Sequence, residues 1–302
     1  GYAGSVVFYN AFLPEIASEG KMDQVSAKGF SMGYVGSVIL LIISLVLILN
    51  FQTFGFADSS AATRFVFLLV GIWWIGFSQI AFYHLKDKPT GHKVTSAILT
   101  QGFGELKKVF IHLKKKVSSI RFLYSFFFYS MGVQTVMLLA PLFGETEIGM
   151  TGDEMIIVVL ILQVLAIGGA YFFAYVSKVK DNKFAIVSAI LVWLMVCVGA
   201  YFAHDKLSFY VLAGFLGFVM GGIQSISRST YSKLIPESTT DSASYFSFYD
   251  VTDKLAIVLG TASFGIIEHI TGSMRNSILF MTLFFIVGLL ILSTVKLIKN
   301  KE

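Results

Sequence analysis

Apolar residues run along this chain in blocks, not in stripes. A water-soluble helix keeps a polar face, with apolar residues recurring every three to four positions, whereas here stretches of about 20 residues are apolar all round. The pattern predicts eight complete membrane spans: Gly33–Phe56, Phe65–Leu85, Phe122–Phe143, Met155–Val176, Phe184–Ala203, Phe209–Ser227, Tyr245–Ile267 and Ile278–Leu297. The apolar opening Gly1–Leu13 is too short to cross a ~30 Å core, and it is expected to be the last part of a helix that begins upstream. Only Lys86–Arg121 connects two spans over a long distance. Within it, Leu106, Val109, Phe110, Leu113 and Val117 recur at helical spacing against a Lys-rich face. Two readings fit that segment: an interfacial helix over residues 104–121 resting on anionic lipid, or a solvated linker with a frayed helix.

Composition agrees with the block pattern. Of 302 residues, 56% are apolar, 14% are charged and 30 are Phe, far from the mix of soluble domains. The basic residues are sorted by loop. With the loop after Leu13 on the cytoplasmic side, alternate loops and the C-terminus carry nineteen Lys and Arg, and the opposite loops carry only Arg64, Lys206 and Arg275. That bias predicts residues 14–32, 86–121, 177–183, 228–244 and the C-terminus to be cytoplasmic. The net charge of +5 is then a matter of topology, and no nucleic-acid partner is expected. The single cysteine, Cys197, leaves no disulfide framework, and the five His (His84, His92, His112, His204 and His269) lack metal-ligand spacing. With no phosphate loop and no G-x-S-x-G elbow, no cofactor, metal or enzymatic activity is expected.

A short phrase occurs twice. "YNAFLPE" at Tyr9–Glu15 and "YSKLIPE" at Tyr231–Glu237 use two of the four prolines, fall on the same predicted side, and are separated by six spans. A parallel repeat of six-helix bundles is the architecture of the major facilitator superfamily. The phrase "FYNAFLPEIA" with "GFSMGYVGS", and above all "QSISRSTYSKLIPE" followed by "FSFYDVTDKLAIVLG", resembles the vacuole-effluxer branch of that superfamily, which includes the fungal autophagy-related vacuolar amino-acid effluxers and bacterial relatives. The resemblance covers essentially the whole chain. It implies an all-α integral membrane protein, part of a 6+6 helical bundle running from the end of the family's fourth helix to its twelfth. Residues 1–85 would be the remainder of the N-terminal bundle, 86–121 a cytoplasmic linker and 122–302 the C-terminal bundle. The chain departs from the superfamily after the eighth helix. There "AYVSKVKDNK" has Ala174 and Lys178 where the usual loop motif has Gly and Asp, which puts the charge lock of that loop in doubt.

Candidate chemistry lies inside the spans. After Lys254 the span offers only thirteen uncharged residues before Glu268, about 20 Å of helix. Some of Asp250, Asp253 and Lys254 must therefore sit within the membrane's depth, where ionised groups are costly and mark function. Asp250 and Lys254 are four apart on one face, and Arg228 is placed to bridge to Asp250 or Asp253. A gate built from Arg228, Asp250, Asp253 and Lys254 and a static anchor both fit this placement. Asn10, Gln79, Gln134, Gln163 and Gln224 interrupt apolar helices and are read either as helix-to-helix bonds or as cavity lining. Gln134 and Gln224 form the preferred cavity pair because the resemblance places them on the family's seventh and tenth helices, with Tyr129 and Tyr249 adding hydroxyls. Gly214, Gly217, Gly221 and Gly222, with Gly260 and Gly265, suit close helix packing or bending.

The resulting expectation is a monomeric secondary transporter that moves a small polar solute, amino acids first and in the direction of efflux. The membrane would be a bacterial plasma membrane, with a vacuolar membrane as the alternative. The competing readings are a transport-inactive sensor or scaffold on the same fold, or a facilitator of a sugar, drug or peptide.

Overall fold

A computed structural model of the chain describes residues 2–18, 20–85, 98–236, 239 and 241–296. Helices account for nearly all of them: α1 (Tyr2–Ala11), α2 (Leu13–Ile16), α3 (Met22–Leu49), α4 (Ser59–His84), α5 (Ile98–Lys115), α6 (Val117–Thr146), α7 (Gly152–Val179), α8 (Asn182–Phe202), α9 (Lys206–Leu234), α10 (Ser242–Thr271) and α11 (Met274–Ser293). Among the described residues, eight helices are long and apolar enough to cross a membrane, namely α3, α4 and α6 to α11. Each contains most of one span expected from hydropathy; the predicted end of the last, Leu297, lies outside the described residues. The chain divides into two compact units, residues 1–34 with 100–302, and residues 35–99.

The largest boundary difference is at α3. It begins at Met22, eleven residues before the expected Gly33. Polar side chains there made the segment read as a loop, since hydropathy assigns such groups to water. In the fold Asp23, Ser26 and Ser31 are buried and bonded across helices instead, while Gln24 and Lys28 stay exposed: the Ser26 hydroxyl donates to the Ser225 carbonyl at 2.7 Å and the Ser31 hydroxyl to the Ile167 carbonyl at 3.4 Å. A buried polar group costs little once a partner replaces water.

Both Tyr-to-Glu phrases close a helix. Helix α1 stops at Ala11, and Pro14 occupies the first turn of α2; α9 stops at Leu234, with Ile235 extended ahead of Pro236. Proline disfavours helical backbone in the residue before it, which fits the extended Ile235 before Pro236, whereas Leu13 before Pro14 stays helical and Pro14 instead opens the short α2. Glu237 lies outside the described residues.

In the larger unit, α6 packs against both α10 and α11 while α7 lies along α9. Small residues set these approaches. A Cβ on Gly217 would meet the backbone of Leu162, and one on Gly221 the backbone of Ala166, so α7 and α9 touch main chain to main chain. At Gly260 a Cβ would strike the Thr135 hydroxyl and the Met131 carbonyl of α6. Gly214 is looser, with its nearest neighbour, Leu165 Cδ1, 3.2 Å from an added Cβ, and Gly265 faces open space. Gly265 is therefore no packing glycine.

Helix starts are capped by side chains at Thr151, Asp181, Asp205, Asp241 and Ser273. Thr151 and Glu154 form a reciprocal capping box, with the Thr151 amide donating to Glu154 Oε2 at 2.8 Å. Thr151→Ala should cost about 1 kcal/mol, read as a lowered thermal midpoint in detergent. An unchanged midpoint would show that the cap does not contribute.

Helix α5 covers most of the Lys-rich linker segment. Val109 and Leu113 are buried in the core of the larger unit, and Phe110 stacks on Phe248 of α10 with ring centroids 5.9 Å apart. The apolar stripe is thus partly taken up by protein. Lys107, Lys108, Lys114, Lys115 and Lys116 stay exposed.

In the smaller unit, α4 starts at an Asp58 cap that accepts from the Ala61 amide at 2.7 Å. Trp73 packs against Phe77 with the rings tilted and centroids 4.8 Å apart. Phe67, Ile72, Ile75 and Phe82 are exposed, which suits a hydrocarbon surrounding.

Candidate functional site

Polar residues separated by more than two hundred positions meet at one cavity of about 270 Å³. Helix α10 contributes Tyr249, Asp250, Asp253 and Lys254; Tyr249 lies four before Asp253, and Asp250 three before Asp253 and four before Lys254, spacings that make them neighbours on the helix surface. From α9 come Gln224 and Arg228, again four apart, with Ser227 beside them; α6 adds Gln134, and α1 adds Asn10. The four gate candidates and the cavity candidates Asn10, Gln134, Gln224 and Tyr249 thus line a single space, while Gln79 and Gln163 are not among its lining residues.

The acidic side of the cavity is held loosely. Gln134 Nε2 donates to Asp253 at 2.9 and 3.2 Å. Lys254 Nζ lies 3.5 Å from Asp250 Oδ1 and 3.7 Å from Asp253 Oδ2, with its own side chain 51% exposed. Ion pairs that long and that open contribute about 1 kcal/mol or less where water reaches them.

Arg228 differs from its expected role. Among the described residues it forms no ion pair with Asp250 or Asp253. Its Nε donates to Ser26 Oγ at 3.0 Å, Nη1 to Asn10 Oδ1 at 3.0 Å and Nη2 to the Ser26 carbonyl at 2.9 Å. The guanidinium lies over Phe30 at 4.3 Å and Tyr9 at 5.3 Å. Helices α1 and α3 reach it first, which no spacing along α9 and α10 could indicate. Gly29 leaves the room: a Cβ there would come within 2.6 Å of the Tyr9 hydroxyl and 3.2 Å of Arg228 Nη2.

Aromatic rings wall the cavity. Tyr249 stacks on Phe126 (4.2 Å) and on Tyr231 (4.9 Å), and Tyr129 shares a 2.7 Å hydrogen bond with Ser227. Gln224 Oε1 accepts from the Tyr34 hydroxyl at 2.7 Å. Gln79, by contrast, bonds among the described residues only to the Ile75 carbonyl of its own helix at 3.3 Å.

A second polar centre was not anticipated. Asp23, almost fully buried, accepts from Ser177 Oγ at 2.7 Å, Lys233 Nζ at 2.7 Å and Asn182 Nδ2 at 2.9 Å. Asn182 in turn accepts from Lys233 at 2.9 Å and donates to Thr230 at 3.0 Å. One carboxylate thereby ties the start of α3 to α7, α8 and α9. Ser177 and Asn182 belong to the "AYVSKVKDNK" segment, so a polar lock exists there with different residues from those of the superfamily motif. From the sequence Asp23 falls in the loop 14–32, where an acid faces water at no cost, which is why it was not flagged.

Long apolar helices with a polar cavity among those of the larger unit match the major facilitator fold. Two solved structures carry the likeness. FucP, a major facilitator transporter in the outward conformation, matches with a TM-score of 0.68 at 14% identity, covering 97% of this chain and 72% of FucP. A bacterial homologue of the iron transporter ferroportin matches with a TM-score of 0.56 at 12% identity, over 93% and 65% of the two chains. The chain belongs to the vacuole effluxer Atg22-like family, whose model matches residues 1–302. It is 29% identical to an uncharacterised MFS-type transporter, YxiO, of Bacillus subtilis, covering 98% of this chain and 68% of that protein. It is 26% identical to autophagy-related protein 22-1 of Penicillium rubens, with 92% and 50% covered, so the chain spans about half the length of that fungal relative.

Proposed function

We propose that this chain forms the greater part of a secondary transporter that moves a small polar solute by alternating access, with amino acids the first class and efflux the direction. The observation that supports it most is the cavity, where Arg228, Asp250, Asp253 and Lys254 meet Asn10, Gln134, Gln224 and Tyr249. Charges at membrane depth are expensive, and facilitators of this fold bind solutes between helix bundles near the midplane. A scaffold has no evident need for them. Within this reading, residues 1–85 are the remainder of the N-terminal bundle, 86–121 the linker and 122–302 the C-terminal bundle. The positive-inside bias supports a cytoplasmic side for residues 14–32, 86–121, 177–183 and 228–244. The exposed lysines of α5 suit anionic lipid, and the working unit is a monomer in a bacterial plasma membrane.

The test is flux of each of the common amino acids, with a sugar and a dipeptide alongside, in proteoliposomes holding the full-length protein. Amino-acid flux is expected, and Asp253→Ala should lower it about tenfold or more while insertion persists. Flux of the sugar or dipeptide alone reassigns the solute. No flux of any kind leaves a sensor or scaffold.

A further inference from the structure

Arg228 is a buried cation whose hydrogen-bond partners among the described residues are all neutral. Its side chain bonds to an amide oxygen, a hydroxyl and a carbonyl, and rests against two aromatic rings. The residue is only 4% exposed, yet among the described residues no carboxylate pairs with it. Taking a guanidinium out of water costs several kcal/mol, and neutral oxygens and ring faces return only part of that. The ordinary remedy is a carboxylate, and two of them line the same cavity. Both are turned instead to Lys254 and Gln134.

The cavity thus holds two acids and two bases, and among the described residues no acid pairs with the buried base. Such a lining is neutral in sum and polar at separate points. It suits a solute that is itself neutral in sum and carries both charges, and it disfavours a dianion such as a phosphate ester. The guanidinium fork matches a carboxylate in particular. Between the charged points, Phe126, Val133 and Ile223 offer apolar wall to a side chain of moderate size.

We propose that Arg228 is the carboxylate subsite of this cavity: the solute brings the counter-charge that the chain withholds, and its cationic group faces Asp253. The proposal rests on the transport reading and narrows the solute to zwitterions with a free carboxylate. It also changes the part assigned to Arg228, from a gate residue paired with the α10 carboxylates to a solute ligand.

The test compares acid and amide pairs (alanine and alaninamide, leucine and leucinamide, phenylalanine and phenylalaninamide) by thermal shift and by competition on the purified full-length protein. At least one acid should bind, and its amide should bind about tenfold more weakly or worse. Arg228→Gln should treat the pair alike, whereas Arg228→Lys should keep the preference for the acid at lower affinity. If Arg228→Gln is not recovered folded, the wild-type ratio and Arg228→Lys decide. Equal binding of acid and amide in the wild type overturns the subsite, as do undiminished discrimination in Arg228→Gln and no binding by any acid. Its fate is separable from that of transport: flux of a solute without a carboxylate removes the subsite and keeps the transporter. Arg228-dependent binding of an acid with no flux at all does the reverse.

Discussion

Gly221→Leu should yield no folded protein on extraction. An added Cβ at Gly221 would fall on the carbonyl of Ala166, and a Cβ at Gly217, one turn earlier, on the backbone of Leu162. Overpacking against side chains costs about 1–3 kcal/mol because rotamers can yield, but a main-chain carbonyl inside a helix has nowhere to go. In a membrane, helices gain little from the hydrophobic effect and rely on close contact, so separating α7 from α9 removes the interaction that joins them. Gly265→Leu is the control, since nothing lies within 4 Å of its Cβ. Recovery of monodisperse protein by size exclusion is the measurement. Similar recovery for the two variants would mean that α7 and α9 do not meet as described.

Asp23→Leu should destabilise the protein by about 3–5 kcal/mol, the usual consequence of removing one member of a buried ion pair. The Asp23 side chain is 4% exposed and the Lys233 side chain 23%, so water does little to screen the pair or to replace the lost carboxylate. Asn182 and Ser177 lose their acceptor at the same time. Adding Lys233→Met to Asp23→Leu should recover part of the loss, because the remaining cation goes with it. A thermodynamic cycle over the two singles and the double is the measurement, and additive singles would show that the two residues do not interact. On the proposed alternating-access reading, this clasp holds α3 against α7, α8 and α9, so the same variants should also change flux.

Much of the candidate site was legible because polar residues inside apolar helices stand out by chemistry alone. Asp250 and Lys254 could even be paired, since a spacing of four is a local property of the helix. Arg228 could not be placed that way. Its partners, Ser26 and Asn10, lie 202 and 218 residues away, and depth in the membrane says nothing about which neighbouring helix a side chain faces. The same limit hid Asp23, whose partners Ser177, Asn182 and Lys233 sit on three other helices, and it made the first turns of α3 read as a loop.

What the sequence by itself determined was the number and position of the membrane spans, because a bilayer filters segments by length and apolarity, and the set of polar residues from which a site had to be made. Which of them meet was decided by the tertiary structure. Glycine contacts set how closely helices approach and how each is turned. That rotation sends Arg228 to neutral partners, leaves the α10 carboxylates to Lys254 and Gln134, and brings Asp23 to Lys233.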